Sequence, residues 1–176
     1  YGLISDTANG TTWDLAIATN WQSIASGTFG LRFNNGDLLQ FDDTAGVTNL
    51  VTLSGTMAPA AMLVTNNSAL YTFQGSGVIG GTGSLVKAGT STLTISSTNT
   101  FTGPTTINGG TLNILADRSL GTAPASLVAN QLVINGSTLS LGANAMVLNN
   151  TRGISLSSSG GTITTPSVSL TNAIGG

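Results

Sequence analysis

Asp37, Asp42 and Asp43 form the only acidic cluster in this 176-residue chain. Closely spaced carboxylates can ligate calcium, a hard cation that prefers oxygen donors. They can also share acid and base duties on a glycosidic bond. Neither chemistry is well supplied here. No basic or histidine partners accompany the cluster, since His is absent. Asp also fails to recur with a glycine-rich period, as it would in calcium-binding repeats. A charged edge that blocks unwanted strand addition accounts for the three residues more simply. They stand as the metal candidates, with calcium the one ion considered; no catalytic residues and no cofactor are expected.

Other motifs dissolve on inspection. Gly75-x-Gly77-x-x-Gly80 has the spacing of a dinucleotide fingerprint, which requires a following helix and an acid about 20 residues on. Gly80-Gly81-Thr82-Gly83 follows instead, so these glycines read as turns. Ser84-x-x-Lys87 has the spacing of a Ser-Lys nucleophile pair but lacks the companion elements and the helix start. Lys87 is expected to be solvated. Trp13 and Trp21 could stack on a sugar; their preferred reading is a packed end cap. The sequons at Asn9, Asn66, Asn135 and Asn149 are expected by chance in so Asn- and Thr-rich a chain.

What could position any of these groups is set by composition and texture. Apolar residues make up 40% of the chain and charged residues only 6%, against about 25% charged in ordinary soluble domains. Like charges stacked at strand spacing, about 4.8 Å, repel by roughly 0.9 kcal/mol even in water. Thr, Ser and Asn can instead form ladders of hydrogen bonds. Low charge thus suits repetitive stacking. The formal net charge of −2 argues against nucleic acid, which calls for a basic stripe. With no cysteine there are no disulfides or thiolate metal sites, and the redox compartment stays open. Met57–Val64 is the longest apolar run and is interrupted by Pro59, so no helical membrane span is expected. Tyr1 follows no basic leader, which suggests a mature or excised segment.

Two regions are expected. Residues 1–48 form an aromatic-rich N-terminal cap with the first strands. Residues 1–43 hold six of the nine aromatics and six of the ten charges. Residues 49–176 form a β-solenoid. Its strands are expected at 50–53, 62–65, 70–74, 84–87, 92–96, 105–107, 111–115, 131–134, 138–141, 154–157, 162–164 and 168–170. Each alternates apolar with small polar residues, a period-two pattern that sends one face inward. Gly, Asn and Pro punctuate the turns, as at Asn108-Gly109 and Asn135-Gly136. At about 20 residues per coil, residues 49–176 would make six or seven coils, about 30 Å of rod. Residues 117–129 read as a loop that protrudes between coils. An echo between Gly77–Gly81 and Asn172–Gly176 suggests a module cut from an array.

The stretch Gly81–Leu112 resembles the autotransporter-associated β-strand repeat, also called the passenger-associated transport repeat. Gly81, Gly83, Leu85, Lys87, Gly89, Thr92, Leu93, Ile95, Asn99, Phe101, Gly103, Thr105, Ile107, Gly110 and Leu112 fall in register with its pattern. Ser91, Ile95 and Pro104 depart from it mildly. Thr12-Trp13-Asp14, Asn20-Trp21 and Phe41-Asp42-Asp43 resemble the segment that commonly precedes such a repeat. The resemblance implies a right-handed parallel β-helix on a secreted or surface-displayed bacterial protein, where the repeat assists passenger export and folding.

Three roles are compatible with that reading. The first is a non-catalytic β-helical stalk or passenger segment. The second is a filament subunit, whose partners are neighbouring repeats or identical copies stacked end to end. The third is an adhesin that binds a surface glycan or host surface through Trp13 and Trp21 or the 117–129 loop.

Overall fold

The structure is a computed structural model that describes residues 3–6, 12–45 and 48–166. Alternation and turn residues give short strands and almost no helix. The first are β1 (Leu3–Asp6), β2 (Thr12–Trp13), β3 (Trp21–Ser23) and β4 (Leu38–Phe41). Then come β5 (Thr48–Leu53), β6 (Thr56–Met57), β7 (Ala61–Val64), β8 (Leu70–Gly75) and β9 (Val78–Ile79). The repeat region holds β10 (Ser84–Lys87), β11 (Thr92–Ile95), β12 (Thr105–Ile107) and β13 (Thr111–Ile114). Last are β14 (Val128–Ile134), β15 (Thr138–Leu141), β16 (Arg152–Leu156) and β17 (Thr162–Thr164).

From β4 onward strands return in turn to the same sheets, so each pairs with one a full coil away. One sheet has the order β16-β14-β12-β10-β7-β4-β1-β3 and the other β17-β15-β13-β11-β8-β5-β2; β6 and β9 make a third, two-stranded face. All these ladders are parallel except β1 with β3, which is antiparallel and closes the first end. The result is a parallel β-solenoid of about 5 turns.

Register turns sequence alternation into columns. Tyr71, Leu93, Leu112, Leu139 and Ile163 stack in one inward column, and Val51, Phe73, Ile95, Ile114 and Leu141 in another. Across the core, Leu39, Met62, Leu85, Thr105, Leu132 and Ile154 form a third. Each fully buried Leu, Ile or Phe contributes about 1.5–3 kcal/mol of transfer free energy. A one-residue slip would send a whole column into water, so the pattern that builds the core also fixes the register.

Several expectations are corrected. Strand partners Met62, Leu85, Thr105, Leu132 and Ile154 lie 20 to 27 residues apart. The assumed 20-residue coil is therefore the shortest of the set, and the coil count is lower than expected. Across the expected 48/49 boundary, β2 pairs with β5 and β4 with β7. Residues 117–129 do not all protrude. A 3-10 turn at Asp117–Leu120 buries Ser119 and Leu120, and β14 begins at Val128. The strand expected at 168–170 and the echo at 172–176 lie outside the described residues.

Candidate functional site

The candidate site is the repeat itself, residues 81–112, because each position that carries the resemblance has a structural task. Leu85, Leu93, Ile95, Phe101, Ile107 and Leu112 fill the core. Thr92 faces outward on β11, and Thr105 is buried on β12. Gly103 lies directly over Gly83: a Cβ at 103 would sit 2.3 Å from the Gly83 carbonyl oxygen. Gly83 in turn lies over Pro59, whose carbonyl oxygen its own Cβ would meet at 2.2 Å. Only glycine permits that corner to stack at strand spacing. Gly81, Gly89 and Gly110 sit at positive-φ turns.

Asn99 ties three coils together. Its Oδ1 accepts from the Ile79 amide at 3.1 Å in the coil before. Its Nδ2 donates to the Ser119 carbonyl at 3.1 Å in the coil after. The Ser97 hydroxyl also donates to Oδ1. A buried amide with both ends occupied offsets its desolvation and fixes the turn between neighbours.

Lys87 overturns its expectation. It is 0% exposed, in the inward column Phe41, Val64, Lys87, Ile107, Ile134. The physical reason is the same alternation that buries Leu85: position 87 shares its face. The stem lies in the core and the ammonium reaches the coil corner, where it donates to the carbonyls of Ala88 (2.6 Å), Gly89 (3.1 Å) and Gly109 (3.3 Å). These oxygens take the place of water around the charge. Burial pushes the lysine down from 10.5 to about 8, while the charge of Asp43 pulls it upward.

The aspartates are spent on backbone. Asp43 accepts from the amides of Asn67 (2.9 Å), Ser68 (3.0 Å) and Ala69 (2.9 Å), which belong to the next coil. Hydrogen bonds from the Ala69 and Ser68 amides, with Asn67 adding to them, hold its carboxyl down at about 2. Asp42 accepts from the Gln40 side chain and from the Thr44 amide and hydroxyl. Asp37 accepts from the Asn34 amide at 2.8 Å. Among the described residues, no group of three or more His, Cys, Asp or Glu could hold a metal ion.

Trp13 and Trp21 are also corrected as a sugar platform, being 1% and 2% exposed. Trp13 packs edge-on against Trp21 (6.0 Å between ring centres), Phe33 (5.5 Å) and Phe73 (6.0 Å). Trp21 meets Phe41 at 5.6 Å. Large rings fill the core beside β2, which among the described residues is the edge strand of its sheet.

The sequence marks Asn66 only as a chance sequon and does not single out Arg152. Asn66 is buried and donates to the carbonyls of Ala69 and Thr92, joining two coils much as Asn99 does. Arg152 is buried and pairs with Asp117, Nε to Oδ1 at 2.8 Å and Nη2 to Oδ2 at 3.2 Å, fastening the 3-10 turn to β16. Their partners are 26 and 35 residues distant. Only a known coil length would reveal them. Gly75, Gly77 and Gly80 border β8 and β9 as turns, with no helix after them.

No curated protein and no solved structure matches the chain. One family model does. Residues 85–114 match the passenger-associated-transport-repeat, which bears out the resemblance read from Gly81 to Leu112.

Proposed function

We propose that this chain is a non-catalytic structural module, a β-solenoid stalk or passenger segment of a secreted or surface-displayed bacterial autotransporter-like protein. One observation carries the reading: residues in and beside the matched repeat join neighbouring coils. Lys87, Asn99 and the Gly83–Gly103 corner each bond or touch the coil before or after them. A repeat that templates the next coil suits a chain that must cross a membrane unfolded and then coil in sequence. Nearest-neighbour stacking allows folding to propagate from a formed end.

Export is the test. The chain is displayed in front of a translocator barrel, with and without residues 81–112. The intact chain should reach the surface in a protease-resistant form, and the shortened one should be degraded there. Equal display and equal resistance of both would overturn the proposal.

A second structural reading, end-to-end stacking into filaments, is favoured by the strand order. Among the described residues β16 and β17 each have one strand neighbour, so each presents an edge. Such edges are templates for a further strand. Light scattering separates the two readings: a filament subunit grows with concentration, and a stalk module does not.

A further inference from the structure

Asparagine followed by glycine is chemically labile. The glycine nitrogen attacks the asparagine Cγ; the N–Cγ bond forms, the Cγ–Nδ2 bond breaks, and ammonia leaves a five-membered succinimide. Water then opens either ring carbonyl. One opening gives aspartate, and the other gives isoaspartate with the main chain running through the side chain. Water is the only co-reactant. The first step needs a glycine nitrogen free to turn onto Cγ, so a hydrogen bond that engages that nitrogen slows it.

Three such pairs lie among the described residues, and they differ at that nitrogen. The Gly36 amide donates to the Ala58 carbonyl at 2.8 Å, and the Asn35 Oδ1 accepts from the Ala58 amide at 2.8 Å. At the second pair, the Gly136 amide donates to the Gly160 carbonyl at 2.8 Å, and the Asn135 Oδ1 accepts from the Ser157 hydroxyl. Both are tied to a neighbouring coil or turn on each side of the reacting bond. Asn108-Gly109 is not. Among the described residues the Gly109 nitrogen has no acceptor. The Asn108 side chain is exposed, and its one contact is a long one, Oδ1 accepting from the Asn135 Nδ2 at 3.4 Å.

We propose that Asn108 is a self-modification site, converting through the Gly109 nitrogen to aspartate and isoaspartate ahead of Asn35 and Asn135. The location matters because the Gly109 carbonyl is one of the three that hold the Lys87 ammonium. Either product sets a carboxylate on that turn, and the β-linked product lengthens it by a methylene. On the surface-displayed protein proposed above, the change would accumulate with time at the corner of the repeat.

The test is peptide mapping by mass spectrometry, with fragmentation that separates aspartate from isoaspartate. Purified native chain and chemically denatured chain are aged side by side at mildly alkaline pH. In the denatured chain the three pairs should convert at comparable rates. In the native chain Asn108 should lead by roughly three- to tenfold, the factor that one backbone hydrogen bond on the competing nitrogens corresponds to. Conversion of Asn35 or Asn135 at the same native rate would overturn the proposal. So would a native Asn108 as protected as they are.

Discussion

The first coil and the matched repeat solve the same problem with different chemistry. In the repeat, aliphatic side chains stack on their own equivalents, Leu93 on Leu112 on Leu139, and polar groups such as Asn99 bond upward and downward alike. At the N-terminal end β2 and β3 are, among the described residues, the edge strands of their sheets. Trp13, Trp21, Phe33 and Phe41 fill the space by packing on one another at mixed angles, and the antiparallel β1–β3 pair closes the sheet. A repeating interior needs residues that tolerate a copy of themselves, whereas an end needs residues that do without one.

Breaking the end should cost most. Trp13→Ala removes the ring at the centre of the aromatic cluster and is expected to lower stability by about 3–5 kcal/mol, measured by denaturant unfolding. Hydrogen exchange should show the loss concentrated in the first coils. Leu93→Ala in the repeat should cost about 2–5 kcal/mol and raise exchange on both sides of the cut. If both variants loosen the same residues, the distinction between end and middle fails.

Polar joints should come next. Asn99→Ala leaves the Ile79 amide and the Ser119 carbonyl buried without their partner, an expected loss of about 1–3 kcal/mol. Asn99→Asp should recover little, because a carboxylate cannot donate to Ser119.

How much of this was legible follows from the same contrast. Leu85, Leu93 and Leu112 announce themselves because alternation is local, and β10, β12, β15 and β17 fall where their residues place them. Lys87 shares a face with Leu85, so its period points inward although its charge points to solvent. The strands β2, β6 and β9 are two residues each, too short to alternate, and exist because a neighbour a coil away pairs with them. Trp13 and Trp21 signal a cap through their bulk, yet nothing local says which way an indole turns. Asn66 and Arg152 depend on contacts across whole coils, which no local pattern encodes.

Smaller effects come from titration. The folded pKa of Lys87, about 8, lies below its unfolded 10.5. Between those values the unfolded chain binds the extra proton, so stability should rise with pH across that window. Lys87→Met should abolish the rise, read as the difference between two melting-temperature profiles. Asp43 behaves oppositely: its carboxyl, near 2 when folded against 3.8 otherwise, contributes stability above about pH 4 that is lost as pH falls through 2. Asp43→Asn should flatten that acid limb, and because Asp43 is only half-buried its effect should be the smallest of the set.

In-register stacking can be measured along one outward column, Leu50, Thr72, Thr94, Asn113, Ser140 and Thr164. Spin labels at 50 and at each later position, read by pulsed electron resonance, should separate by about 4.8 Å more per coil. The longest distance should then be the pair 50 and 164. A distance that rises and then falls along the series, as two facing antiparallel layers would give, would contradict the solenoid and the role proposed for it.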